Sequence, residues 1–350
     1  MSQLTSHALL TTVLRDVSRS FYLTLRILPA KIRPQIGLAY LLARTSDTIT
    51  DTEAVPLDQR LTALEAFRQR ILGFANVAQA SSPASSPGAS PSLSELAQNQ
   101  PSGAEQLLLE QSETSVGFLR ELTPPDAQLV REVLSIILSG QELDLRRFAQ
   151  ASPQHIIALQ TDAELDDYTY RVAGCVGEFW TKICRAHLFP RARLDDSGLL
   201  KDSVRFGKGL QLVNILRDLA RDLRQGRCYL PAETLAGMNL LPEDLLKPDT
   251  EPRLRPLFNH YMDRAEEHLR AGWRYTNTLP ARCVRVRLAC AWPILIGMET
   301  IQLLRHGNVL GAAKPIKVSR SRVKGLIARS VLYYPLQALW CTLIAPSRKP

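Results

Sequence analysis

The chain has 350 residues, 45% of them apolar, with 43 Lys and Arg against 34 Asp and Glu, giving a formal charge of +9. That is enough apolar material for one large core or two ordinary ones, and the positive surplus suits a nucleic acid, an anionic membrane surface or a polyanionic small substrate. The basic residues are spread out and aromatic residues do not interleave with them in any recognisable nucleic-acid module, which argues against nucleic acid and for diphosphate-bearing substrates and membrane proximity.

Residues 5–28 read as a helix interrupted by a polar knot, Ser18-Arg19-Ser20-Phe21-Tyr22. Such a knot could hold an anion or merely cap a turn. Pro29 and Pro34 bracket a short connection. The next helix carries Tyr40, Arg44, Asp47 and Asp51 at offsets of four, seven and eleven residues, which share one face at 3.6 residues per turn. Residues 60–75 are an amphipathic helix. Residues 76–104 are rich in Ser, Pro, Ala and Gly and read as a flexible insertion without core-forming capacity.

Residues 105–122, 126–150 and 153–160 are expected to be helical. In 162–187, the small residues Ala173, Gly174 and Gly177 cost helix propensity, about 1 kcal/mol per Gly. They predict close approach of another helix or a ligand, or a local kink. A helix over 200–224 carries Gln211, Asn214, Asp218 and Asp222 at offsets of three, seven and eleven, with Gly226 as its C-terminal stop. Tyr229-Leu230-Pro231 lead into a short helix. Residues 252–276 and 281–305 form two more helices. No segment alternates as a strand does, so the class is all-α.

Residues 311–329 are basic, including Lys317, Arg320, Arg322 and Lys324, and suit an anion-binding flap or a solvated face. Residues 331–345 are apolar but too short, at about fifteen residues and with Pro335 inside, for a span that needs about twenty. They read as a helix covering the core or lying at a membrane interface. Cys175, Cys184, Cys228, Cys283, Cys290 and Cys341 form no CxxC pair. Neither a zinc site nor a disulfide framework is expected, and the compartment reads as reducing and cytoplasmic. The N-terminal stretch does not have the pattern of a signal peptide.

The two acidic stripes carry the chemistry. Buried carboxylates one turn apart repel and are costly unless paired or bound to a cation. Two such pairs suit Mg²⁺, which takes oxygen ligands, keeps several waters and joins carboxylates to substrate phosphates. One pair alone would more simply be stray acids on a wet face. Two matched copies, each on an otherwise apolar helix, favour the metal.

Four motifs, Ser18 to Phe21, Tyr40 to Asp51, Tyr168 to Gly177 and Gln211 to Pro231, resemble the head-to-head trans-isoprenyl diphosphate synthases, the squalene and phytoene synthases, in order and spacing. The resemblance covers about residues 12–330. It implies an all-α isoprenoid synthase fold, a single helical domain of residues 1–330 around a central cavity, with residues 331–350 as an apolar tail. It implies that Asp47/Asp51 and Asp218/Asp222 face each other across the cavity mouth and bind Mg²⁺ with diphosphate. Ser18, Ser20, Arg44, Arg217 and Arg227 would hold diphosphate oxygens, with Arg19 in the same substrate-binding set, as the planar guanidinium suits. Tyr168 resembles the family's catalytic tyrosine, a proton acceptor or cation stabiliser. Phe21, Tyr40, Val172, Gly174, Gln211 and Asn214 would line the prenyl tunnel and its mouth.

The resemblance further implies two farnesyl diphosphates as substrates of a monomeric enzyme, with peripheral membrane attachment as an open option. Thr48 after the first aspartate, and Lys317 with Arg320 as contacts for NADPH phosphates, look like squalene synthases. The segments Tyr168 to Gly177 and Asn214 to Pro231 look equally like phytoene synthases, so a phytoene or dehydrosqualene product stays open. An inactive assembly relative is the non-enzyme alternative, and the retained aspartates and tyrosine argue against it. Two positions depart from the family: Thr50 and Arg221 stand before the last aspartate of each motif, where an acid is usual.

Overall fold

The computed structural model describes residues 13–18, 21–73, 93–100, 102–311 and 316–344, with the side chains of Ser18, Phe21 and Ser94 outside the described set. Contacts divide the chain into two compact units, Met1–Ala149 with Lys182–His187, and Gln150–Thr181 with Leu188–Pro350.

The first unit begins with α1 (Leu14–Ser18) and α2 (Phe21–Ile27), then α3 (Arg33–Asp51) and α4 (Leu57–Leu72). Helix α3 starts with a proline in its first turn, where the missing N–H costs nothing. Gly73 ends α4 at φ +83°, a left-handed cap that glycine adopts freely. Next come α5 (Leu93–Gln98), α6 (Gly103–Glu110), α7 (Ser112–Gly117), a 3₁₀ turn over Phe118–Arg120 and α8 (Pro124–Arg147). Helix α3 is the centre of this unit and packs against α4, α6, α7 and α8. It buries Ile36, Leu38, Leu41, Leu42 and Ile49.

The second unit holds β1 (Ile157–Ala158), α9 (Asp162–Thr169), a π-helical turn over Tyr170–Gly174 and most of α10 (Cys175–Leu188). There follow α11 (Asp196–Arg224), β2 (Arg227–Cys228), α12 (Ala232–Ala236), α13 (Glu251–Thr278), α14 (Val284–His306), α15 (Arg320–Tyr333) and α16 (Gln337–Thr342). Side chains close the helix starts: Thr161 accepts from the N–H of Glu164 at 3.3 Å, and Asp195 from that of Gly198 at 3.1 Å. Helix α11 is the centre, packed against α13, α14 and the π turn.

The all-α expectation holds, with three local corrections. The stretch 76–104 is not uniformly without core: α5 lies in it and buries Leu96 and Ala97. Leu93, Leu96 and Ala97 are spaced for one helical face, a signal that the surrounding Ser and Pro obscure. Residues 153–160 are not helical. β1 pairs in parallel with β2, the N–H of Ile157 donating to Gly226 O at 2.8 Å and that of Leu159 to Cys228 O at 3.0 Å. Pro153 and the β-branched pair Ile156-Ile157 oppose helix there. The apolar tail is two helices, because the chain breaks at Pro335 between α15 and α16.

The small residues of the 162–187 segment do mark a close approach. A Cβ on Gly177 would stand 2.1 Å from Ser203 O, and one on Gly207 2.2 Å from Ala173 O. The kink expected beside them is the π turn. Helix α14 is long and apolar enough to cross a membrane by length and composition. It buries Val286, Leu288, Ala289, Ile294, Leu295 and Ile301 within its own unit, as a core helix would.

Candidate active site

On α3, Asp47 and Asp51 end the polar stripe one turn apart. Asp47 keeps 48% of its side chain accessible, and an Arg44 guanidinium nitrogen lies 3.9 Å from it. Arg44 also pairs with Glu105 of α6. The amide of Gln141, on α8, donates to Asp47 Oδ1. Water reaches Asp47, yet protein crowds it: desolvation first, and the Asp51 charge second, push its carboxyl up to about 7, against the pull of Arg44 and Gln141. Thr48 and Thr50 are buried, and their hydroxyls donate back to Arg44 O and Asp47 O, each at 2.9 Å. The position where the family usually has an acid is therefore spent on the helix here, and the set is two carboxylates.

On α11, Arg217 grips Asp218 through two hydrogen bonds of 3.0 and 2.6 Å. Arg221 reaches Asp222 at 3.3 Å. Asp222 is nearly buried, and desolvation pushes it up to about 6 although Arg221 pulls it down; the Asp218 charge adds to the rise. Arg221 thus partly replaces with a cation what an acid would have contributed to a metal site. Asn214 donates to Gln211 Oε1 at 3.4 Å, one turn up the same face.

Arg227 lies in β2, and the turn before it is fixed by Gly226 at φ +80°, where a Cβ would meet the Ser152 backbone at 2.4 Å. Tyr168, at the end of α9, is buried and stacked on Tyr229, ring centroids 4.7 Å apart at 27°. Val172 and Gly174 sit in the π turn; a Cβ on Gly174 would meet Tyr170, Lys208 and Val204 at 3.1–3.3 Å. Tyr40 lies on α3, and Lys317 and Arg320 are exposed at the entry to α15. Arg19 and Ser20 lie outside the described residues, and of Ser18 and Phe21 only the backbone is described.

Within each unit, then, the predicted residues do gather: Tyr40, Arg44, Asp47 and Asp51 on α3, and Gln211, Asn214, Arg217, Asp218 and Asp222 on α11. Three contributors were not singled out from the sequence. Tyr229 stands in the noted Tyr-Leu-Pro run but shows its role only through the stack. Gln141 gives no signal except as a polar residue in the apolar stripe of α8. Asp166 accepts from Lys208 at 2.7 Å and from Arg264 at 3.2 Å, tying α9 to α11 and α13. All six cysteines are free, and burial pushes Cys175, Cys228 and Cys290 up to about 12. Among the described residues no group of three or more His, Cys, Asp or Glu converges as a metal cluster.

The squalene/phytoene synthase family matches residues 14–322. A bifunctional lycopene cyclase/phytoene synthase of Colletotrichum graminicola is 31% identical over 254 residues, covering 72% of this chain and 39% of that protein. The squalene synthase of Saccharomyces cerevisiae is 25% identical over 303 residues, covering 85% of this chain and 62% of that protein. The chain thus spans about two fifths of the length of the first bifunctional fungal relatives. The solved complex of TcSQS with the ligand BPH1237 shares the fold at a TM-score of 0.74 and 20% identity, over 99% of this chain and 94% of that one. The fold is that of the isoprenoid synthases. The chain belongs to the squalene/phytoene synthase family.

Proposed function

We propose that the protein is a squalene synthase. It would join two farnesyl diphosphates head to head through the cyclopropyl intermediate presqualene diphosphate, and reduce the product with NADPH. The observation that carries this reading is the two carboxylate pairs, each with one acid well above its ordinary value, Asp47 at about 7 and Asp222 at about 6. Such pairs are unfavourable until a cation joins them.

The donors fit Mg²⁺: all are oxygens, two per set, with Asp47 open to solvent. Bound there, the ion would supply neutralisation of the charge that builds on a departing diphosphate. Arg44, Arg217 and Arg227 would hold diphosphate oxygens, Arg44 and Arg217 sharing their present carboxylate partners with the substrate. Tyr168, its ring fixed by Tyr229, would stabilise the allylic cation or accept its proton. Leu212, Val213, Ile215 and Leu216, all buried around the Gln211–Asn214 stripe, would help keep water from that cation. Lys317 and Arg320, both exposed, would take the NADPH phosphates.

Thr48 carries less weight for reduction than its position suggests, because it faces the interior. A second reading, an unreduced phytoene or dehydrosqualene product, is favoured by the higher identity of the phytoene-synthase relative, 31% against 25%. Product analysis separates them. Purified protein with farnesyl diphosphate and Mg²⁺ is expected to give squalene only with NADPH, and presqualene diphosphate without it. A hydrocarbon product indifferent to NADPH overturns the squalene reading in favour of the second.

The same proposal seats the protein peripherally on a membrane, where its products would dissolve. Val331, Leu332, Leu336 and Leu339 are 40–69% exposed. On α15, Lys324, Ala328 and Leu332 follow one outward stripe from a basic to an apolar end.

A further inference from the structure

Helix α8 runs alongside α3 and places Gln141 against Asp47. A carboxylate offers acceptors only, so Gln141 must turn its NH₂ toward Asp47 and its Oε1 away. That Oε1 has no hydrogen-bond partner, although Gln141 is only 8% exposed. An apolar residue of the same length would fill the place without burying an unpaired acceptor, and its neighbours on α8, Val133, Leu134, Ile137 and Leu138, are of that kind.

A second Gln–Asp pair in the same unit also leaves its amide oxygen, Gln35 Oε1, without a partner among the described residues, so the two pairs differ in their carboxylates rather than in their amides. Gln35 donates to Asp126 at 3.0 Å, and His187 reaches the same carboxylate at 2.8 and 3.0 Å. Asp126 is 3% exposed and held from two sides, as a structural carboxylate should be. Asp47 is half open, and Gln141 holds only one of its oxygens. The other oxygen, Oδ2, has among the described residues only the Arg44 guanidinium at 3.9 Å and is open to a ligand arriving from outside the core.

We propose that Gln141 is a positioning residue of the first cation site: its Nε2–H, donated to Asp47 Oδ1, fixes the rotamer in which Asp47 meets the cation. This rests on the reading of Asp47 and Asp51 as cation carboxylates. Groups that orient a ligand in this way typically change metal affinity by about 10–100-fold when removed.

The test uses the full chain with Mn²⁺ and inorganic pyrophosphate as probes, binding read by calorimetry or by the Mn²⁺ spin-resonance signal. Gln141→Met fills the volume and removes both ends of the amide; Gln141→Leu replaces it should the methionine variant not fold. The expected result is Mn²⁺ binding at least about tenfold weaker with the melting temperature of the metal-free protein unchanged or raised. In an Asp47→Asn background the same change should add little, because Gln141 acts through Asp47. Turnover of Gln141→Met should recover at high Mg²⁺, a rescue that a purely structural role would not give. Binding within twofold of the unaltered protein, or an equal loss in the Asp47→Asn background, overturns the proposal. Unaltered protein that binds no Mn²⁺ with pyrophosphate would instead overturn the cation reading of the aspartates.

Discussion

Tyr168 lies stacked on Tyr229, centroids 4.7 Å apart, so the tyrosine expected to meet the reacting carbons is held by a ring sixty-one residues away in the chain. Tyr168→Phe keeps the stack and removes the hydroxyl. It is expected to lower kcat by about 10²-fold with little change in KM, the range of a lost general acid or base. Tyr229→Phe should be near normal. Tyr229→Leu keeps the Tyr168 hydroxyl but frees its ring, and should cost about tenfold through lost orientation. Steady-state kinetics with farnesyl diphosphate check the series; a Tyr168→Phe protein of normal kcat would remove the hydroxyl from the chemistry.

Asp47 is a carboxyl whose charge the fold disfavours. Its folded value of about 7 stands above its ordinary 3.8. Its stabilising contribution is therefore full below the unfolded value and is lost as pH rises through about 7. At neutral pH, Asp47→Asn should abolish turnover while raising the melting temperature of the metal-free protein by a few degrees. Mg²⁺ should stabilise the unaltered protein by mass action and leave Asp47→Asn much less affected. Thermal melts with and without Mg²⁺ at pH 7.5 decide this; a lowered melting temperature in the variant would show that Asp47 is a structural carboxylate.

His268 gives a pH dependence of opposite sign. Burial first, then Arg205, Arg264 and Lys208, depress it to about 4, with Asp166 alone opposing. Arg205 donates to its Nδ1 at 3.3 Å, which requires a neutral ring. A depressed histidine leaves stability intact above its unfolded value of about 6.5 and costs stability as pH falls from there toward 4. Denaturant midpoints should fall over that window, and His268→Gln should flatten the fall. An unchanged slope in the variant would mean other groups carry it.

The tail is clamped rather than loose. Trp340 is buried, stacks on Trp273 at 4.9 Å, and donates from its indole N–H to Asn277 Oδ1 at 2.7 Å. Arg287 bonds the same Asn277 oxygen at 2.7 Å and lies over the Trp340 and Tyr334 rings. Leu332→Glu with Leu336→Glu should abolish sedimentation with vesicles containing anionic lipid while leaving the fold intact, since both side chains point to solvent. Sedimentation equal to that of the unaltered protein would withdraw the membrane seat.

The acidic stripes, the helix boundaries within a few residues and the family were legible because each is a local pattern. Asp47 and Asp51 announce themselves by their spacing, and Gly226 by its place after a polar helix end. What was not legible depends on partners far off in the chain. Ile157 becomes a strand only because Gly226 and Cys228 stand beside it. Gln141 matters only through a carboxylate ninety-four residues earlier, and Thr50 looks like a lost ligand until its hydroxyl is found on Asp47 O. Propensity and periodicity carry no information about such pairings.

The crossing of Gly177 with Ser203 and of Gly207 with Ala173 sets main chain against main chain. Two segments joined that way share a fixed ruler. Val172 and Gly174 on one side and Gln211 on the other are then offset by a distance that side-chain repacking cannot alter, since nothing compressible lies between them. If these residues line the prenyl tunnel, its length at this point is a property of the backbone, and a family member could change the chain length it accepts here only by altering the bulk of the side chains themselves.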